Sequence, residues 1–356
     1  MASNKDTMKK CIGLMFSALC AFALLSGCGE KRPVLYIYSW SDYISPDVIT
    51  AFEKEYNCLV KLDSFDSNEA MYAKLKAGSG GYDLVLPSSY YISILKRQNM
   101  IQALDMTKLK NVTEQFDAQY VDKAETGTFG YHVPYAVSTV GFGVDKRILT
   151  DPNPSWNIVT DPAFKGRVTI FNDMRHTLGA ALKTLGYSLN SVNPAEIEKA
   201  RDLVISWKTK IAKFENEQYK TGLASGEFLL AMAYNADIVQ VKDDNPQITF
   251  VYPKEGFEMM TDDFVVPSDA KNVELAHAFI NFLYRPEMAK LNMNMMGCLC
   301  PVKGAYPLVD ESVRSNPAVF MSSEIVARGE FARDIGDGLK LYTQAWDKIK
   351  SSEKND

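Results

Sequence analysis

Trp40, Ser41, Asp42 and Tyr43 follow, after Ser39, an apolar run at residues 34–38, which predicts a strand buried in a parallel sheet. In open α/β sheets, ligands bind at the edge where such strands end. Two aromatic rings around a carboxylate suit an organic cation, since a cation–π contact contributes roughly 0.5–2 kcal/mol. The alternative interpretation of these four residues is a loop whose tryptophan packs into the core.

Six further polar residues stand next to other predicted strands. They are Ser88, Tyr90, Asp173, Tyr234, Asp237 and Asp262. Each one alone is typical of a helix cap or a turn. Because ligand-binding loops of open sheets meet at one edge, we expect all six to lie near the Trp40 loop. The sequence therefore predicts four carboxylates and four aromatic rings around one site.

The predicted site contains no arginine or lysine among these residues. Carboxylates that crowd together raise one another's pKa values unless a cation lies between them. A buried ammonium costs several kcal/mol unless a carboxylate meets it. This composition indicates a polycationic ligand. It argues against sugars, amino acids and phosphates, the last two of which need basic groups or open helix N-termini.

The elements that position these residues alternate between strand and helix. Ser45 is predicted to cap a first helix, with Pro46 and Asp47 in its first turn. A second helix is predicted to begin at Asp66, with Glu69 as its capping partner three residues later. Residues 82–86 then predict a further strand. The pattern β-α-β-α-β indicates a three-layer lobe with right-handed crossovers.

The alternation continues in the second half of the chain. We predict strands at residues 168–171, 229–234, 248–252 and 264–266 and a long helix at residues 194–213. An amphipathic helix over residues 275–283 is predicted to end before Pro286. No single linker divides the chain. We therefore expect two lobes that exchange strands, with the chain crossing between them more than once.

The N-terminal residues have the order of features of a secretory signal. Lys9 and Lys10 precede an apolar run at residues 11–25, which is shorter than the ~20 residues that span a bilayer. Leu-Ser-Gly before Cys28 resembles a bacterial lipobox, and Met8 is a candidate start. We predict a signal peptide at 1–27 and a lipidated tether at 28–33. An ordinary signal peptide and a buried helix are the alternatives.

Length and composition are those of a globular protein. The chain has 356 residues, of which 46% are hydrophobic and 23% charged, and a length of this kind suits two lobes. Its formal net charge is −5, and removing the signal makes the remainder more acidic. The charge disfavours nucleic acid and weakly favours cationic partners.

Cysteine and histidine are too few for a disulfide framework or a metal site. With Cys28 lipidated, the body keeps Cys58, Cys298 and Cys300. The last two are separated by one residue, which strains a bridge, and no second pair or nearby histidine completes a metal site. We predict buried free thiols, no metal and no cofactor.

The chain resembles the spermidine/putrescine-binding proteins of bacterial ABC transporters. The resemblance covers nearly the whole mature chain. Its landmarks are YIYSWSDY at 36–43, DSNE at 66–69, KLKAG at 74–78, YDLVLPS at 82–88, PKEG at 253–256 and NFLYRP at 281–286. It implies a type II periplasmic binding protein, an α/β fold whose two lobes each carry a mostly parallel sheet flanked by helices and close on ligand about hinge crossovers. It also implies a monomer that passes its ligand to permease subunits.

The resemblance also assigns roles to individual residues. It implies an aromatic floor at Trp40 and Tyr43 with Ser41 and Asp42 between them. Further ligand contacts are implied at Ser88, Tyr90, Asp173 and Tyr234, and Asp262 corresponds to the acid that anchors an amine. Asp237 matches an acid of the putrescine-preferring branch.

Four positions depart from the family pattern. The family commonly has Glu at His176, an aromatic residue at Met260, Tyr at Cys298 and, in the spermidine branch, Gln at Ala332. The third ammonium group of a triamine needs its own partner, and a neutral histidine attracts it much less than a glutamate does. We therefore expect putrescine to bind at least as tightly as spermidine. We also expect acid to weaken spermidine binding further, as His176 protonates near its ordinary pKa of ~6.5.

The predicted first lobe comprises residues 34–138 and about 263–305, and the second comprises 139–262 and about 306–356. Three functions compete for this architecture. The leading one is a lipid-anchored polyamine receptor outside the cytoplasm. The second is a ferric-ion or other metal-capture protein using Tyr90, Tyr91 and acids. The third is a hydrolase with an acid pair such as Asp173 and Asp237, although no nucleophile elbow or triad signature accompanies it.

Overall fold

The computed structural model describes residues 32–78, 80–120, 130–151 and 154–353. The predicted signal peptide, Cys28 and most of the predicted tether lie outside these ranges. Within them, no helix is long and apolar enough to cross a membrane.

The first sheet has three parallel strands in the order β2-β1-β3. They are β1 (Val34–Ser39), β2 (Leu59–Ser64) and β3 (Leu84–Val85). Helices α1 (Pro46–Tyr56) and α2 (Asn68–Lys76) connect them in turn. The predicted β-α-β-α-β pattern is therefore confirmed, although β3 is two residues long where five were expected.

Local capping explains both helix starts. The Ser45 hydroxyl accepts a hydrogen bond from the Asp47 N–H at 3.3 Å, with Pro46 in the first turn as predicted. The second helix begins one residue later than expected. Ser67 is its cap and accepts from the Ala70 N–H at 3.2 Å. The predicted Asp66–Glu69 capping pair is thus wrong, and Glu69 instead accepts a hydrogen bond from a tyrosine hydroxyl.

The second sheet is built around one long strand, β4 (Val133–Asp145), all of whose residues are buried. Its strand order is β10-β9-β4-β7-β5-β6, and β8 also pairs with β4. The other members are β5 (Val168–Phe171), β6 (Lys213–Glu215), β7 (Leu230–Tyr234), β8 (Ile248–Val251), β9 (Phe257–Phe264) and β10 (Gly329–Phe331). Pairing of β4 with β7, β8 and β9 is antiparallel, whereas β5 pairs with β6 and β7 in parallel.

The remaining helices flank these sheets. They are α3 (Ile92–Arg97), α4 (Lys110–Gln115), α5 (Met174–Thr184), α6 (Pro194–Lys208), α7 (Tyr219–Ser225), α8 (Asn235–Asp244), α9 (Val273–Leu283), α10 (Pro286–Met296), α11 (Glu311–Arg314), α12 (Ser323–Arg328) and α13 (Leu339–Ser351). The predicted mixed α/β class with helices on parallel sheets is confirmed.

Two predicted elements in this half have the wrong bounds. The helix expected at residues 194–213 ends at Lys208, and residues 213–215 form a strand. The strand expected at 264–266 is Phe257–Phe264. Asp262 therefore lies inside a strand and does not precede one. The error arises because Glu258, Asp262 and Asp263 are buried in this strand, and their polarity hides it in the sequence.

The second sheet contacts the first sheet through β9, which itself pairs with β4. Residues 133–139 of β4 pair with β9, and residues 140–145 pair with β7 and β8. Isolated bridges join Val85 of β3 to Val265, directly after β9, and Ser88 to Asp262 within β9. The boundary predicted after residue 138 falls within β4, and the division into two lobes at that residue remains a prediction.

The three cysteines of the described part, Cys58, Cys298 and Cys300, are free and buried, as predicted. Burial raises the pKa of the Cys298 thiol to about 12, so that this thiol stays protonated at neutral pH.

Candidate functional site

A cleft of about 580 Å³ opens where the ends of β1, β3, β5 and β7 approach β9. All twelve residues predicted to bind ligand line it. They are Trp40, Ser41, Asp42, Tyr43, Ser88, Tyr90, Asp173, His176, Tyr234, Asp237, Met260 and Asp262. The structure thus brings together every predicted site residue, whereas their contact with a ligand remains a prediction. The volume suits a small organic molecule.

Asp262 is the most deeply placed carboxylate of this cleft, with 3% of its surface exposed. One oxygen, Oδ1, accepts a hydrogen bond from the Ser88 hydroxyl at 2.7 Å. The other, Oδ2, accepts from the Tyr43 hydroxyl at 2.8 Å and from the Ser138 hydroxyl at 3.4 Å. These hydroxyls fix the orientation of the carboxylate, but they bring no positive charge.

The pKa of Asp262 reflects that environment. Burial raises it to about 6, although the hydrogen bonds from Ser88 and Tyr43 act to lower it. The group is therefore largely ionised at neutral pH, although none of its hydrogen-bond partners among the described residues is cationic. A cation that enters the cleft would offset the free-energy cost of burying the ionised Asp262 carboxylate.

Asn68 connects two of the predicted residues. Its side-chain amide donates hydrogen bonds to the Ser88 hydroxyl and to the Tyr90 hydroxyl, both at 3.2 Å. The Ser88 N–H in turn donates to the Asn68 carbonyl oxygen at 3.1 Å. This network holds Ser88 in position to donate its hydrogen bond to Asp262. It also holds Tyr90, which lines the cleft.

The loop after β1 supplies an aromatic wall. The Trp40 ring packs against Phe65 with 4.4 Å between ring centroids. The Trp40 indole N–H is buried and has no hydrogen-bond partner within the described residues, so packing alone holds the ring. Ser41 and Asp42 are exposed at the rim, and Asp42 has a left-handed backbone with φ of 57°, which Asp tolerates better than most residues.

Asp173 caps the helix Met174–Thr184. Its Oδ1 accepts hydrogen bonds from the N–H groups of Arg175 at 2.7 Å and His176 at 2.9 Å. Asp173 therefore both caps this helix and lines the cleft. The second oxygen, Oδ2, makes no hydrogen bond with the described residues and stays available to a ligand.

His176 differs from its predicted state. Its Nδ1 lies 2.9 Å from Oε2 of Glu258, and its Nε2 lies 2.9 Å from the Tyr234 hydroxyl. Although burial acts to lower the pKa of His176, the negative charges of Glu258 and Asp173 raise it to about 9. The prediction that His176 is neutral and titrates near 6.5 is therefore wrong. It forms a buried ion pair at neutral pH.

Asp237, which the sequence predicted as an acid of the cleft, is paired within the protein. The Tyr219 hydroxyl donates a hydrogen bond to its Oδ2, and Lys220 Nζ lies 3.7 Å from its Oδ1. Burial raises the pKa of Asp237, while Lys220 acts to lower it. Because Lys220 lines the cleft, the prediction of a site without basic groups is wrong.

Of the other three positions that depart from the family pattern, one lines the cleft and two do not. Met260 is buried and lines the cleft. Cys298 lies behind it and donates its thiol hydrogen to the Val137 carbonyl at 2.9 Å. Ala332 is buried beside β9, where its N–H donates to the Met259 carbonyl. Neither Cys298 nor Ala332 is among the residues that line the cleft.

Sequence reasoning missed Glu258, Ser138, Asn68 and Lys220. Glu258 shares a strand face with Met260 and Asp262, since side chains alternate along a strand, but this signal depended on placing the strand correctly. Ser138 lies in β4, which was not predicted as a strand. Lys220 comes from a helix that the sequence analysis did not identify.

The acids of the cleft outnumber its cations. Acidic residues lining it are Asp42, Asp66, Glu69, Asp173, Glu217, Asp237 and Asp262. Lys220 and His176 are the basic residues of the lining. No group of three or more His, Cys, Asp or Glu residues suited to a metal occurs in the described ranges. This cleft can surround a multiply charged organic cation with carboxylates and aromatic rings.

Comparison with known proteins agrees with this geometry. The family model for bacterial extracellular solute-binding proteins matches residues 47–321. The chain is 31% identical over 341 residues to a spermidine/putrescine-binding periplasmic protein of Salmonella typhimurium, covering 95% of this chain and 97% of that protein.

Solved structures show the same relationship. The spermidine/putrescine ABC transporter substrate-binding protein PotD from Streptococcus pneumoniae has a TM-score of 0.81 at 27% identity, over 90% of this chain and 99% of that one. The Tp0655 (TpPotD) lipoprotein of Treponema pallidum has a TM-score of 0.78 at 30% identity, over 89% and 99%. These neighbours confirm the predicted two-lobed periplasmic-binding-protein fold. The chain belongs to the family of bacterial extracellular solute-binding proteins.

Proposed function

We propose that this protein captures a linear polyamine outside the cytoplasm and delivers it to the permease of an ABC transporter. Putrescine is the favoured ligand and spermidine is a second one. The protein acts as a binding protein and not as an enzyme, in keeping with the transport family to which it belongs. The relatives named for spermidine and putrescine support this ligand class.

The observation that carries the proposal is the buried carboxylate of Asp262. It has three hydroxyl partners and no cationic one among the described residues. An alkylammonium group can donate to both oxygens, and its methylene chain can lie against Trp40 and Tyr43. A ferric ion would instead need a cluster of ligands, and no such cluster occurs in the described part of the chain.

The remaining charges support the preference for putrescine. Glu258 is neutralised by His176, and Asp237 is paired with Lys220. Asp262 and Asp173 then remain as the inner, less exposed carboxylates of the lining, and they match the two ammonium groups of a diamine. The other acids of the lining, Asp42, Asp66, Glu69 and Glu217, are exposed. A third ammonium has no uncompensated inner carboxylate to meet.

Calorimetric titration of the delipidated protein with putrescine, cadaverine, spermidine and spermine tests the proposal. We expect saturable binding of putrescine at least as tight as that of spermidine. A neutral analogue, 1,4-butanediol, controls for binding of the four-carbon chain without its charges. Absence of binding to all four amines at millimolar concentration would reject the proposed function.

Membrane attachment is a separate part of the proposal. We propose that residues 1–27 are removed and that the Cys28 thiol is acylated, which holds a monomeric binding protein at the outer face of a membrane. The order of basic residues, apolar run and Leu-Ser-Gly-Cys supports this. The relative from Treponema pallidum, which is itself described as a lipoprotein, supports it as well.

A further inference from the structure

Lys220 places an ammonium group inside the acid-lined cleft. It is the second residue of the helix Tyr219–Ser225, and 39% of its side chain is exposed. Its Nζ lies 3.7 Å from Oδ1 of Asp237, and the Tyr219 hydroxyl donates to Oδ2 of the same carboxylate. Both oxygens of Asp237 therefore have partners before any ligand enters.

We infer that Lys220 is an internal counter-cation that occupies the Asp237 position and thereby limits how many ammonium groups a ligand brings into the cleft. This inference rests on the proposed function, because it concerns the selection of polyamines by length. Lys220 uses the chemistry of the ligand itself, a primary ammonium on a four-carbon chain. A ligand ammonium can pair with Asp237 only when Lys220 moves away.

The positions of the acids explain why length matters. Burial raises the pKa of the Tyr234 hydroxyl, and the negative charges of Asp173, Glu258, Asp237 and Asp262 raise it further. A diamine is satisfied by Asp262 and by the free oxygen of Asp173. A triamine brings a third charge, for which Asp237 is the inner carboxylate that remains. Binding a triamine therefore displaces Lys220, and binding a diamine does not.

The exposure of Lys220 makes such displacement feasible. Its ammonium can move to solvent because the side chain is flexible and partly hydrated already. A partly exposed pair of this kind contributes about fivefold or less to an equilibrium constant. Lys220 thus tunes the preference between ligands and does not block the cleft.

The test compares Lys220→Gln with Lys242→Gln, a matched control that removes one charge from an exposed position on the helix Asn235–Asp244. Kd values for putrescine and spermidine are measured by calorimetry at constant ionic strength. We expect Lys220→Gln to tighten spermidine binding about three- to fivefold and to change putrescine binding less than twofold. Lys242→Gln should affect both ligands equally. A uniform change in both Kd values for Lys220→Gln, or no change, would overturn the inference.

A second measurement needs no ligand. Reductive methylation with ¹³C-formaldehyde gives each lysine an NMR signal, and Lys220→Gln identifies the signal of Lys220. In the empty protein this signal should shift in Asp237→Asn, whereas that of Lys242 should not. Insensitivity of the Lys220 signal would overturn the inference even if polyamines bind. A wild-type protein that binds no amine but keeps the Asp237-dependent signal would instead reject the proposed function.

Discussion

The hydroxyl of Tyr43 donates a hydrogen bond of 2.8 Å to the carboxylate of Asp262, although 219 residues separate them in the chain. Tyr43 belongs to the loop after the first strand, and Asp262 to a strand of the second sheet. The contact ties the aromatic loop to the buried anion. A displacement of Tyr43 therefore removes one of the hydrogen bonds that orient this carboxylate, which we propose binds the amine.

Asp262→Asn should nearly abolish binding of putrescine and of spermidine. The substitution removes the charge that a buried ammonium needs, which costs about 3–5 kcal/mol, or roughly 150- to 5,000-fold in Kd. The melting temperature of the empty protein at pH 7 should be unchanged or higher, because a desolvated charge is removed. Calorimetry and thermal unfolding measure both effects.

The matched control for this variant is Glu324→Gln, which removes a negative charge from an exposed site outside the cleft. It should leave both Kd values within about twofold, since exposed charges interact weakly. Equal affinities for Asp262→Asn and wild type would remove Asp262 from the binding site.

Acid should weaken polyamine binding below pH 6. The pKa of Asp262 is raised to about 6 by burial, and only the ionised form pairs with an ammonium. Affinity should be constant above pH 7 and fall about tenfold per pH unit below 6. The stability of the empty protein depends on pH in the opposite direction from ligand affinity. The raised pKa makes folding less favourable as pH rises from about 4 to 6, by about 3 kcal/mol at most. Asp262→Asn should remove the pH dependence of stability between pH 4 and 6. A wild-type binding curve that is flat from pH 5 to 8 would contradict this assignment.

The pair His176–Glu258 should stabilise the fold up to alkaline pH. The pKa of His176 is raised to about 9 against an ordinary value of 6.5, so its contribution is complete below pH 6.5 and is lost as pH rises through 9. Glu258→Gln should flatten the fall in unfolding free energy between these pH values and bring the NMR titration of His176 below about 6.5. The signals of His132 and His277 are internal controls. Titration of His176 near 6.5 in the wild type would refute the ion pair.

The polar residues at the ends of the strands were predictable because local patterns carry them. Ser39 to Tyr43 follow an unbroken apolar run, and Ser45 and Pro46 mark the next helix unambiguously. Once the strands are parallel, their ends must meet at one edge. That geometry gathers the residues that follow β1, β3, β5 and β7 around one cleft, whereas Met260 and Asp262 reach it from within β9.

The ionic state of the site was not predictable in the same way. His176 and Glu258 are 82 residues apart, and their pairing depends on the position of a strand whose buried acids disguise it. The burial of β4 on both faces likewise reflects its tertiary environment and not its own alternation. Sequence periodicity reports which face of an element is buried, whereas a pKa depends on which charges the fold brings within a few ångströms.

Cys28→Ser should release the protein from the membrane fraction. Acylation requires the thiol, so a serine at this position carries no lipid anchor. Fractionation of cells followed by detection of the protein measures this, with Cys58→Ser as the matched control because Cys58 is a buried free thiol of the folded part. Putrescine affinity should be unchanged in Cys28→Ser. A variant that is processed and retained like wild type would exclude the lipid anchor.

Ligand binding should make the protein more compact. The cleft takes residues from both sheets, with Trp40 after β1 and Tyr234 at the end of β7, and a ligand that contacts both favours the arrangement in which they are close. Strand β4 pairs with β9 through residues 133–139, and we expect a closing motion to bend the chain at these strands. Small-angle scattering should show a smaller radius of gyration at saturating putrescine than in the empty protein. Asp262→Asn, measured at the same putrescine concentration, should keep the radius of the empty form, which separates a specific response from a general effect of the added cation. A wild-type profile unchanged by putrescine at a concentration where calorimetry shows saturation would contradict closure as the consequence of binding.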